Sequence, residues 1–196
     1  MDAARRKIPA ILHDAVRTKQ RLVECAEDID RAARLLIDAL AEGRKILTCG
    51  NGGSAGDAQH MAGELVGGFR KRRSGLSCVA LTADTSVLTS CANDFGYEEV
   101  FARQVEAIGA RGDVLVGIST SGNSANVIRA FEAAAGAGMK QVALTGNNGG
   151  RVARMPGVLG IVVPSSSTQR IQECHITIIH VLCELVEDAV FGTDAR

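Results

Sequence analysis

Apolar residues recur at helical spacing through Ile29, Ala32, Ala33, Leu36, Ile37 and Leu40, and Gly43 follows as a stop, so the first stretch reads as helix. Beyond it the period changes. Short runs rich in Val, Ile and Leu at 45–49, 77–82, 113–118, 141–145 and 160–163 have the near-continuous apolar character of strands covered on both faces. Between them the pattern returns to helix at 54–69, 85–91, 98–108, 123–137 and 168–190. This alternation predicts an α/β fold, a doubly wound five-stranded parallel sheet. The expected layout is an N-terminal helical extension at 1–43 and a single structural unit at 44–196. No repeat, low-complexity tract or Pro/Ser-rich linker divides the chain.

Composition narrows the function classes. Lys plus Arg and Asp plus Glu are 22 each, so the net charge is zero and nothing general draws the chain to nucleic acid or an anionic membrane. The run Arg70-Lys71-Arg72-Arg73 reads as a solvated loop. With no Trp and one Tyr there is no aromatic platform for stacking bases. No apolar run approaches the roughly 20 residues of a membrane span, and no apolar stretch follows the basic N-terminal residues. The six cysteines lack Cys-x-x-Cys spacing and sit largely in apolar runs, as small buried hydrophobes do in a reducing compartment. A cytoplasmic protein with a small-molecule substrate is expected.

Two loops carry chemistry. The first strand ends in Cys49-Gly50-Asn51-Gly52-Gly53-Ser54, where glycines let backbone N–H groups turn toward an anion at a helix start. The third ends in Ile118-Ser119-Thr120-Ser121-Gly122-Asn123-Ser124, whose hydroxyls suit a phosphate without any lysine. In a strand order 2-1-3-4-5 these loops flank the topological switch point, where open α/β sheets bind ligands. The first loop also fits a dinucleotide fingerprint, but Arg70–Arg73 precede the second strand instead of ending it, and the hydroxyl loop would then have no task.

His60 and Glu64, at i and i+4, share one helix face and can share a proton or a metal; an ordinary surface His–Glu pair has the same spacing. The last helix sets Gln172, His175 and His180 among isoleucines. Gln172 and His180 are eight residues apart, about 12 Å along a helix.

The strings Cys-Gly-Asn-Gly-Gly-Ser (49–54), Asp-Ala-Gln-His-x-Ala-Gly-Glu (57–64), Asn-Asp-Phe-Gly-Tyr (93–97), Ile-Ser-Thr-Ser-Gly-Asn-Ser (118–124) and Arg-Ile-Gln-Glu-x-His-x-x-x-x-His (170–180) resemble the phosphoheptose isomerases of the sugar isomerase (SIS) domain family. The likeness runs over nearly the whole chain. It implies a flavodoxin-like core, a homotetramer, and interconversion of sedoheptulose 7-phosphate with D-glycero-D-manno-heptose 7-phosphate. It implies Glu64 and His180 as the catalytic acid–base pair. Substrate contacts would be Asn51, Gly52, Gly53, Ser54, Glu64, Asn93, Asp94, Ser119, Thr120, Ser121, Ser124 and Gln172, and one zinc ion would be held by His60, Glu64, Gln172 and His180. With that implied ligand set, the roughly 12 Å between Gln172 and His180 along one helix points to one of them coming from a neighbouring copy; the alternative is that Gln172 touches substrate without ligating. The sequence departs at Gln169, where some relatives carry Asp. Other SIS-domain proteins are sugar-phosphate sensors or bind the replication initiator without catalysis; the presence of Glu64 and His180 favours the enzyme.

Overall fold

The computed structural model describes residues 2–193, with side chains from residue 5 onward. The first residue of the expected extension and the last three of the expected unit lie outside the described residues. Strands β1 (Ile46–Gly50), β2 (Cys78–Ala80), β3 (Val114–Ser119), β4 (Lys140–Thr145) and β5 (Val158–Val162) form one parallel sheet in the order β2-β1-β3-β4-β5. The doubly wound sheet predicted from the alternation is therefore present, with β1 beside β3.

The pleat explains why these strands read as unbroken apolar runs. Along β1 and β3 every residue is buried. Ile46, Val114, Val116 and Ile118 face one core, shared with α2 (Ala26–Ala41), α3 (Gly53–Gly67) and α7 (Thr168–Phe191). Leu47 and Leu115 face the other, shared with α5 (Ala102–Ile108) and α6 (Ala125–Gly136). Ile29, Ala32, Ala33 and Leu36 of α2 lie in the first core, so the second half of the N-terminal extension shares the sheet's own core. Gly43 ends α2 with φ +71°, a conformation that favours glycine, and the Arg44 N–H closes the turn on the Ala39 carbonyl at 2.9 Å.

Element limits depart from the periodicity where an element buries little. The N-terminal helix is α1 (Asp2–Gln20) joined to α2 by a 3-10 turn at Arg21–Cys25. The helix α4 (Thr85–Phe95) runs four residues past its expected end. It buries no residue, so no apolar stripe marked its length; Asp84 caps it by accepting the Val87 N–H at 3.0 Å, and Gly96 ends it. The segment expected as helix from residue 98 opens as a 3-10 turn, Tyr97–Glu99, before α5. The edge strand β2 is shorter than the apolar run that foretold it, being paired on one side only.

On α1 the residues Ile8, Ile11, Leu12 and Val16 form a helical stripe, each more than half exposed. Val181 and Leu185 of α7 are exposed beside Leu22 and Val23 in an apolar groove. Among the described residues no helix is long and apolar enough to cross a membrane.

Candidate active site

The two glycine- and hydroxyl-rich loops meet at the switch point, because Gly50 at the end of β1 pairs in register with Ile118 on β3. From the first loop, Asn51 is half-buried, Gly52 and Gly53 are exposed, and Ser54 is buried at the first turn of α3. From the second, Ser119 is buried and shares a 2.9 Å hydroxyl–hydroxyl bond with Ser124, Thr120 is half-buried and Ser121 is exposed. The Ser121 hydroxyl accepts the Asn123 N–H at 3.1 Å, which shapes the turn into α6. Asn93 and Asp94, expected near substrate, occupy the last turn of α4 and are joined by a 2.8 Å bond from the Asn93 amide. That turn is drawn to the cradle by the Tyr97 hydroxyl, which donates to the Asn51 side-chain oxygen Oδ1 at 3.1 Å. Gln172 packs onto the same cradle. A Cβ on Gly53 would fall 2.6 Å from the Gln172 amide nitrogen, so only glycine leaves room for it.

A second constellation lies two turns along α3. The His60 Nε2 is 2.9 Å from a Glu64 carboxylate oxygen and 3.1 Å from the His180 Nε2. The donor atoms of His60, Glu64 and His180 all lie within 4.8 Å of one another. Two imidazole nitrogens facing each other need a proton or a cation between them, and one proton on His60 cannot serve both neighbours. Four donors around a zinc ion at about 2.0–2.1 Å stand roughly 3.3 Å apart, so these three side chains fit such an ion with small adjustment. Gln172 is placed by its approach to Gly53 at the start of α3. Gly53, which it touches, precedes His60 by seven residues, about 10 Å along the helix. His180 is thus the member of the i, i+8 pair that meets His60 and Glu64 in its own chain. Gln169 is exposed and accepts the Ser167 hydroxyl at 3.2 Å.

The sequence profile of the SIS domain family matches residues 12–146. The phosphoheptose isomerase of Aquifex aeolicus is 52% identical over 94% of this chain and 96% of its own length. The chain belongs to the SIS domain family. Among solved structures, the phosphoheptose isomerase of Neisseria gonorrhoeae superposes with a TM-score of 0.89 at 46% identity, covering 94% of this chain and 99% of that one. The Francisella tularensis phosphoheptose isomerase superposes equally well, TM-score 0.89, at 35% identity over 94% of this chain and 98% of that one. This SIS domain is an isomerase.

Around these loops and helices the structure also shows contacts that the sequence pattern did not foretell. Asn126, 3% exposed on the first turn of α6, exchanges two 2.8 Å bonds with the Asn51 carboxamide and so ties one cradle loop to the other. A polar residue on the buried face of α6 was its only mark. His175 is fully buried; its Nε2–H donates to the Thr145 carbonyl at 3.1 Å and its Nδ1 has no partner. Burial pushes its pKa down to about 4, opposed by the Thr145 bond, so it is a neutral core residue. Burial also raises the Asp57 carboxyl to about 6, against the pull of His60. The basic run is no free patch. Arg70 pairs with Glu184, Lys71 with Asp188 and Arg73 with Glu187, all on α7.

Proposed function

We propose that this chain interconverts sedoheptulose 7-phosphate and D-glycero-D-manno-heptose 7-phosphate by proton transfer through an enediolate. The observation that carries the reading is the convergence of His60, Glu64 and His180 in an SIS domain whose cradle loops stand open at the switch point. The phosphate is received by the backbone and hydroxyls of Ser119, Thr120, Ser121 and Ser124, beside the start of α6. Asn51, Gly52, Gly53, Ser54, Asn93, Asp94 and Gln172 surround the sugar. Glu64 takes the proton from the carbon next to the carbonyl and returns it to the neighbouring carbon, a role worth about 10²–10⁴ in rate. His180 moves the proton between the two oxygens. His60 holds the Glu64 carboxylate in place through their 2.9 Å contact.

His60, Glu64 and His180 are a donor set for zinc, with Gln172 as the fourth ligand implied by the family resemblance. A bound ion would supply Lewis-acid stabilisation of the developing oxyanion. The exposed apolar stripe on α1 and the groove beside α7 support assembly with further copies, and a homotetramer is the assembly we infer. The cytoplasm is the compartment we infer, from six free cysteines of which five are buried. A sensor or initiator-binding protein would need the cradle alone; the retained Glu64 and His180 favour catalysis.

Incubating the purified protein with sedoheptulose 7-phosphate and following the aldose signals by NMR tests the proposal. Product should form, and Glu64→Gln should lower turnover about a thousandfold while leaving the fold intact. Absence of product from the metal-loaded wild type would overturn the assignment, and Glu64→Gln activity within tenfold would remove Glu64 from the mechanism.

A further inference from the structure

The segment that follows α3 is strapped across α7, and its anchor is a carboxylate that the proposed chemistry does not use. Glu187 has 1% of its side chain exposed, yet its two oxygens accept four hydrogen bonds. Oε1 takes the Phe69 N–H at 3.0 Å and the Arg73 Nε at 2.8 Å. Oε2 takes the N–H groups of Arg70 at 2.8 Å and Lys71 at 3.1 Å. Burial alone would raise this carboxyl; the Arg70 N–H, the Arg73 guanidinium and the Phe69 N–H outweigh it and hold the pKa below the usual glutamate value.

Both ends of this node lead to the constellation on α3. The Arg73 guanidinium, with 3% of its side chain exposed, donates through Nη2 to the Glu64 carbonyl at 3.0 Å and through Nη1 to the Leu65 carbonyl at 2.8 Å. Phe69, held by its N–H on Glu187, lays its ring 5.5 Å from that of His180, and His180 in turn lies 5.0 Å from the His60 ring. Glu187 follows His180 by two turns on one face of α7. One ion pair therefore sets the axial and rotational position of α7 against the part of α3 that carries Glu64.

We propose that Glu187 and Arg73 are positioning residues for the His60, Glu64 and His180 group, fixing the spacing at which these side chains share a proton or a metal ion. This rests on the isomerase reading above. Residues behind a ligand set typically govern affinity or rate by 10–100-fold, and a misplacement near 1 Å costs about 10² in rate. A bond that only stabilised the fold would instead lower melting temperature and leave the active fraction unaltered.

Arg73→Lys keeps the charge opposite Glu187 but loses the fork to the Glu64 and Leu65 carbonyls. In the zinc-loaded protein it should lower kcat about tenfold or more with KM for sedoheptulose 7-phosphate within twofold, because the phosphate cradle lies at the other end of α3. Zinc affinity, measured by chelator competition without substrate, should fall by about 10–100-fold. Lys71→Ala, which removes only the outer contacts of the strap to Asp188 and the Gly192 carbonyl, should leave kcat and zinc affinity within twofold. If Arg73→Lys does not fold, Phe69→Leu keeps the backbone bond to Glu187, loses the ring against His180, and should show the same losses. Wild-type-like zinc affinity and kcat in whichever of these two variants folds would overturn the proposal. If the wild type binds zinc but does not isomerise the sugar, the functional assignment fails and the zinc comparison still decides the positioning role.

Discussion

Single residues in this protein owe their chemistry to what surrounds them. His60, His175 and His180 are all helical histidines, but His60 and His180 face each other at 3.1 Å, whereas His175 is sealed against the Thr145 carbonyl. Protonating His175 would place an N–H at the Nδ1, which has no acceptor. Its folded pKa of about 4 lies below its ordinary 6.5, so the unfolded chain binds the proton first as pH falls. Its contribution to stability is complete above pH 6.5 and is lost as pH falls to about 4, a change of roughly 3 kcal/mol. Denaturant titrations from pH 7 to pH 4 should show that loss, and His175→Gln, which retains a donor for Thr145, should flatten it. An unchanged slope in the variant would assign the acid sensitivity to other groups.

Elements act on the site through their ends. The cradle is made where β1 and β3 give way to α3 and α6, and the reciprocal amide pair of Asn51 and Asn126 holds those two ends together. Asn126→Ala leaves α6 a good helix but leaves the Asn51 carboxamide held by the Tyr97 hydroxyl alone. We expect KM for the sugar phosphate to rise about three- to tenfold, the scale of one hydrogen bond, with kcat changed less. Steady-state kinetics would show it, and an unaltered KM would mean that Asn51 is held without its partner. The periodicity revealed the strand-to-helix junctions because glycines and serines there break apolar runs. It did not reveal Asn126, since one polar residue on a buried helix face leaves the apolar pattern unaltered.

For the whole molecule, the division of labour along α7 is the informative feature. Gln172 reaches Gly53 at the cradle, while His180 meets His60 and Glu64 farther along α3. A fourth ligand supplied by another copy's Gln172 would complete the ion's shell, and the apolar stripe of α1 and the groove beside α7 are suited to bring such a copy near. Mixing inactive Glu64→Gln chains with inactive Gln172→Ala chains should then restore part of the activity. Glu64→Gln mixed with His180→Ala should restore none, because those two residues belong to one chain's group. Proven subunit exchange with no recovery in the first mixture would place Gln172 in its own chain's substrate contacts only.

The sequence by itself determined the parallel α/β architecture, since strands covered on both faces must be apolar throughout and their helices must carry an apolar stripe. It also determined the chemistry of the two loops, because a tight strand-to-helix turn and its donors are written in neighbouring residues. The His60–Glu64 pair was legible for the same reason, being one helical turn apart. Tertiary structure decided the rest. That His180 joins them, that Gln172 lies against Gly53, and that Glu187 gathers the basic strap all depend on how α7 lies against α3. That placement follows from the packing of two helices on one sheet face, a balance of many long-range contacts that no local period encodes.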